Sequence, residues 1–153
     1  MLKQQIYLKN QEEMKNFASK LAKVAKSGDI ITLSGDLGVG KTSFSQFFIR
    51  SLTDEDIEVT SPTFNLLHVY SLKILQIWHF DLYRLKNKQE IYELGIEDAF
   101  DNGVSLIEWP EIIKDSLPKN RLDLDLSFSK VDDARIINWK GSIKWAELLG
   151  SIK

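Results

Sequence analysis

Gly35-Asp36-Leu37-Gly38-Val39-Gly40-Lys41-Thr42 is the stretch from which the rest of the chain can be read. It fits G-x-x-x-x-G-K-[ST], a loop pattern that cradles phosphates. At average composition the fixed positions co-occur by accident in roughly one chain of this length in 200. The flanks agree with the pattern. Ile30-Ile31-Thr32-Leu33 reads as a buried strand, and Ser43 to Arg50 carries apolar residues at helical spacing. A strand over 30–34, a glycine loop and a helix over 41–52 aim the loop amides and the helix N-terminus at an anion. Lys41 is placed to reach β- and γ-phosphates, the Thr42 hydroxyl to bind Mg²⁺, and Ser43 to open the helix behind them.

Outward from the loop, turn signals and periodicity alternate. Gln5 to Leu8 is a short strand candidate. Asn10 with Glu13 forms a helix-start box; Met14, Phe17, Leu21 and Val24 make one apolar face, and Gly28 is expected to end that helix. Asp54-Glu55-Asp56 is a solvated turn. Leu66–Leu72 and Ile74–Phe80 read as antiparallel strands joined tightly, and Asn87 with Glu90 starts a helix over about 88–100. Val104 to Ile107 is apolar enough to be buried on both faces. Leu122, Leu124, Leu126 and Phe128 alternate with polar residues, and Ile136 to Trp139 follows as the second arm of a hairpin. Ser142 to Leu149 closes as a helix. Strands alternating with helices, then a hairpin, predict a mixed α/β sheet, parallel in the middle and antiparallel at an edge.

A phosphate loop needs acids for the metal and the attacking water. Asp81 ends Ile77-Trp78-His79-Phe80-Asp81, and Glu108 ends Val104-Ser105-Leu106-Ile107-Glu108. An acid at the C-terminal end of a sheet strand faces the crevice where ligands bind. Either is placed to hold the metal, directly or through water, while the other orients the water. Thr60-Ser61-Pro62-Thr63 is a rigid polar loop in the place where switch proteins sense a γ-phosphate; a plain proline turn is the competing reading. Trp109 is placed to pack on a nucleotide, a partner or the core. His68 and His79 have no cysteine or third histidine to complete a metal set, so they read as core or strand-surface residues. Asn87-Lys88-Gln89-Glu90 ends in Glu where the guanine-reading motif has Asp, and it reads as a helix cap, leaving adenine as the expected base.

The composition is that of one globular domain over residues 1–153: 43% hydrophobic, 27% charged, net charge −2. No overall basic field recommends direct contact with nucleic acid. The absence of cysteine excludes disulfides and thiol chemistry. No apolar run has membrane-spanning length and no signal-peptide region opens the sequence, so a cytoplasmic location is expected.

These motifs, in order, resemble the TsaE (YjeE) family: GDLGVGKT, Ser61-Pro62-Thr63-Phe64, His79-Phe80-Asp81-Leu82-Tyr83-Arg84-Leu85, Glu90 through Leu94-Gly95-Ile96, and Leu106-Ile107-Glu108-Trp109-Pro110. They run from residue 35 to 110. Val39 stands where Ala is common and Ser43 where Thr is common, both small changes. The resemblance implies a P-loop NTPase fold in three layers, with central parallel strands flanked by antiparallel ones. It implies MgATP on the 35–42 loop, Thr42 and Glu108 on the magnesium side, and Asp81 near the nucleotide. It implies a weak ATPase that resets the TsaB–TsaD heterodimer, in which TsaD transfers a threonylcarbamoyl group to an adenosine in tRNA; tRNA is met only indirectly.

Two other classes remain open on the residues alone. A small-molecule kinase would want an arginine-bearing lid, whereas Arg50, Arg84, Arg121 and Arg135 are scattered. A nucleotide-gated binding module would keep the loop and hydrolyse almost nothing.

Overall fold

The computed structural model describes residues 2–150. Its strands are β1 (Leu2–Leu8), β2 (Ile30–Ser34), β3 (Leu67–Ser71), β4 (Gln76–Asp81), β5 (Val104–Glu108), β6 (Leu122–Phe128) and β7 (Arg135–Gly141). The helices are α1 (Gln11–Val24), α2 (Lys41–Arg50), α3 (Gln89–Glu93), α4 (Ile96–Asn102) and α5 (Ile143–Leu149). The strands form one sheet in the order β1-β7-β6-β2-β5-β4-β3. β6, β2, β5 and β4 run parallel, and the outer pairings are antiparallel. The expected mixed sheet is present, its parallel centre flanked by antiparallel strands: the β3–β4 pair at one edge and the β6–β7 hairpin, extended by β1, at the other.

Side-chain alternation splits the core in two. Ile31, Leu33, Leu106, Leu122 and Leu124 point to one face with Met14 and Phe17 of α1 and Phe44 and Phe48 of α2. Ile30, Phe80 and Ile107 point to the other, with Ile96 and Ala99 of α4 and Ile113. Strand β2 is covered on both faces, so Ile30 to Leu33 are all buried. In β6 the burial alternates, because one face there has no helix over it.

Local signals are met in detail. The Glu13 amide donates to Asn10 Oδ1 at 3.0 Å, and the Lys9 amide to Glu13 Oε1 at 2.7 Å. Two expectations are corrected. The first helix ends at Val24, where Ala25 turns extended; Gly28 sits beyond it, in the Lys26–Asp29 turn, with its amide donating to Gly103 O. The helix expected over 88–100 is broken: Gly95 takes φ 86°, so α3 ends at Glu93 and α4 starts afresh at Ile96. A glycine adopts that left-handed conformation without the Cβ penalty, and the chain uses it to turn α4 onto the sheet. Among the described residues no helix is long and apolar enough to cross a membrane.

Candidate active site

The loop between β2 and α2 is shaped by close approach. A Cβ on Gly35 would lie 2.4 Å from Leu126 O and 2.9 Å from the Val39 side chain, and its φ is 138°. Gly38 has nothing within 4 Å; its φ of 78° alone selects glycine. Val39 is buried and anchors the loop in the core below it. Its carbonyl accepts Arg135 Nε–H at 2.7 Å.

Lys41 opens α2 and is only 5% exposed. Its ammonium donates to Gly35 O and, at 3.0 Å, to Asp36 O, and sits 3.9 Å from the centroid of the Trp109 ring. Burial pulls its pKa below the ordinary lysine value, and the carboxylates of Glu108, Glu111, Asp81 and Asp36 oppose that pull.

The two strand-end acids are register partners: Asp81 of β4 lies beside Glu108 of β5, and Glu108 beside Leu33 of β2. Glu108 is 2% exposed. Its Oε1 accepts the Thr42 hydroxyl at 2.8 Å, and its Oε2 lies 2.5 Å from His79 Nε2. A carboxylate only accepts, so Nε2 carries the proton. Asp81 accepts from the Thr63 hydroxyl at 3.2 Å and from the Tyr83 amide at 3.1 Å. Burial raises its pKa and Glu108 adds to the rise, while the Tyr83 amide, the Thr63 hydroxyl and His79 work against it.

These groups line one cavity of about 210 Å³, formed by Leu37, Gly38, Gly40, Lys41, Thr42, Ser43, Ser61, Thr63, Asp81, Glu108 and Trp109. The residues singled out from sequence therefore converge, with exceptions. Gly35, Asp36 and Val39 shape the loop from behind, Pro62 is buried beneath its own loop, and exposed Thr60 turns away to meet His68. Trp109 follows Glu108 in a left-handed conformation at φ 57°, and Leu66, which ends the 60s loop, has φ 67°. Each costs a non-glycine residue on the order of 1–3 kcal/mol, and both lie where the loops meet the site, as stored strain often does. A roomier depression of about 610 Å³ lies over Asp123, Asp125, Asn138 and Lys140. It includes none of the glycine-loop residues, and its Arg121 is already paired with Asp123 at 2.8 Å.

His79 is the site residue that sequence reasoning set aside. Two residues before Asp81 on β4, it shares that residue's face. That parity was the available signal. It is fully buried, and among the described residues Nδ1 has no hydrogen-bond partner.

The hard oxygen donors suit Mg²⁺, which is usually held by one or two carboxylates, with substrate phosphates and water completing the shell. Among the described residues no group of three His, Cys, Asp or Glu side chains is placed to hold a metal.

The family model for "Threonylcarbamoyl adenosine biosynthesis protein TsaE" matches residues 8–137. The chain belongs to the TsaE family. The tRNA threonylcarbamoyladenosine biosynthesis protein TsaE of Rickettsia bellii is 46% identical over 138 residues, covering 90% of this chain and 95% of that protein. The Bacillus subtilis TsaE is 39% identical over 128 residues, 83% of this chain and 79% of that one. The crystal structure of Bacillus subtilis YdiB superposes with a TM-score of 0.79 at 32% identity, covering 97% of this chain and 93% of that one. The TsaE match spans every site residue described above.

Proposed function

We propose that this chain is the ATP-binding and ATP-hydrolysing component of tRNA threonylcarbamoyladenosine biosynthesis, working in the cytoplasm on the TsaB–TsaD heterodimer. The observation that carries the ATPase part is the Thr42–Glu108 contact of 2.8 Å at the mouth of the glycine loop, with Lys41 beneath and Asp81 in register beside it. Loop amides and Lys41 bind the phosphates. Thr42 and Glu108 would hold Mg²⁺, whose charge would offset that developing on the phosphoryl group. His79 fixes the Glu108 carboxylate, and Asp81, tied to the Thr63 loop, orients the attacking water.

The placement of the cations supports a role for a partner. Among the described residues, Lys41 is the only basic one lining the cavity. Arg84 rests on Phe64, Arg121 on Asp123, and Arg135 on Val39 O, while Arg50 lies at the far end of α2. In phosphoryl-transfer sites an arginine supplied in cis or in trans stabilises the transition-state charge and speeds turnover, and among the described residues no arginine lines this cavity. The same placement disfavours the kinase, whose arginines would clamp the moving phosphoryl group. Supporting the substrate context, the relatives named above are tRNA threonylcarbamoyladenosine biosynthesis proteins.

The test compares MgATP turnover with and without purified TsaB–TsaD, alongside multiple-turnover threonylcarbamoylation of tRNA. Turnover is expected to rise and modification to continue beyond one cycle. Unchanged rates in both assays, with no co-elution in MgATP, would refute the proposal. Phosphorylation of a small acceptor by the chain alone would point to the kinase.

A further inference from the structure

The 210 Å³ cavity accounts for only part of a nucleotide. Sites that bury whole small ligands run to about 300–1,000 Å³, so a base attached to phosphates here must lie outside it. The direction is given by the acids. Asp81 and Glu108 stand on β4 and β5, on one side of β2, and they mark the metal and γ-phosphate end. The rest of the nucleotide leaves on the other side of β2, over the C-terminal end of β6.

That end carries Phe128. Along β6 it shares a face with Leu122, Leu124 and Leu126, the face that packs against α1 and α2. Leu126 reaches the loop itself: its side chain would meet a Cβ on Gly40 at 3.9 Å. Phe128 is two residues further, about 7 Å along the strand. Phe128 is 49% exposed. Arg135 is its cross-strand partner, and the guanidinium lies 4.8 Å from the ring centroid. Arg135 is itself fixed, donating to Val39 O of the glycine loop at 2.7 Å and to Asp132 O and Ala134 O at 2.8 Å each. One flank of the aromatic ring is therefore braced by a cation hydrogen-bonded to the loop that would hold the phosphates.

We propose that Phe128, braced by Arg135, is the stacking platform for the purine of the nucleoside triphosphate bound at the 35–42 loop, an inference that rests on the nucleotide-binding reading above. The platform is organised before the ligand arrives, so little ordering cost falls on binding. Stacking uses the face of the base and tolerates changes at its edge. Phe64 carries a similar pairing with Arg84 at 4.7 Å and is 81% exposed, but it lies in the loop beside Asp81, at the γ-phosphate end. It serves as the contrasting position.

Calorimetry separates the two parts of the ligand. Wild type, Phe128→Ala, Phe128→Tyr and Phe64→Ala would each be titrated with MgATP and with magnesium tripolyphosphate, which has no base. Phe128→Ala is expected to weaken MgATP by roughly 5- to 150-fold, the range for losing one base–aromatic stack, and to leave tripolyphosphate affinity within about twofold. Phe128→Tyr should keep the wild-type preference for ATP over tripolyphosphate, and Phe64→Ala should keep it too. Wild-type MgATP affinity in Phe128→Ala, or equal losses for both ligands, would overturn the platform while leaving the phosphate site standing. If wild type bound neither ligand, the nucleotide reading itself would fall, and the platform with it.

Discussion

Glu108→Gln tests the site at the point where the proposed metal would meet the protein. The substitution keeps shape. The Gln oxygen accepts the Thr42 hydroxyl as the carboxylate does at 2.8 Å, and the Gln amide faces His79 Nε2. Turned over, the amide satisfies both neighbours without any proton moving: its oxygen accepts His79 Nε2–H and its NH₂ donates to the Thr42 hydroxyl oxygen. The fold should therefore change stability by no more than about 1 kcal/mol. The charge is what goes. A charge-assisted contact contributes about 1.5–3 kcal/mol, so kcat/KM for MgATP in the TsaB–TsaD assay should fall roughly 10- to 150-fold. The sign reverses without metal. Asp81 and Glu108 then face a triphosphate as like charges, and removing one of them should tighten metal-free ATP. Calorimetry in Mg²⁺ and in chelator, beside turnover, reads both effects. Equal loss of ATP affinity in the two buffers, or unchanged turnover, would refute the role given to Glu108.

Three further outcomes are expected. Asp81→Asn should raise Tm near neutral pH while impairing turnover. The folded carboxyl titrates above its ordinary 3.8, so its stability contribution is complete below that value and is lost as pH rises through the raised folded pKa; the Tm gap between wild type and variant should open over that window and close in acid. A pH-independent gap would contradict this. Gly35→Ala should cost roughly 2–6 kcal/mol in urea unfolding, since a Cβ would sit 2.4 Å from Leu126 O at φ 138°, whereas Gly38→Ala meets no neighbour and should cost about 1–2. Similar costs for the two would undo the close-approach account. His79→Phe leaves the buried Glu108 carboxylate with only Thr42 and should lower Tm by roughly 4–12 °C; adding Glu108→Gln should recover part of that loss, and strict additivity would show that the pair is not coupled.

Much of this protein was legible from short stretches because the signals are local. The glycine loop, the apolar strand before it, and the acids ending β4 and β5 each announce themselves within a few residues, and parallel strands in an α/β sheet bring such ends to one edge. The resemblance to TsaE also needed only ordered motifs. Misplaced boundaries, at Val24 and at Gly95, were local too, but there a turn competed with a helix and packing decided between them.

What tertiary structure alone decided are pairings between distant residues. Nothing near Asn10 announces that β1 pairs with β7 and closes an edge. His79 is the buried residue its strand suggested, but only strand order sets it 2.5 Å from Glu108, and only the hairpin carries Arg135 to Val39 O. Which side chains a strand turns to one face is written in its alternation. Which strand lies beside it depends on burial summed over the whole sheet, and no single segment carries that sum.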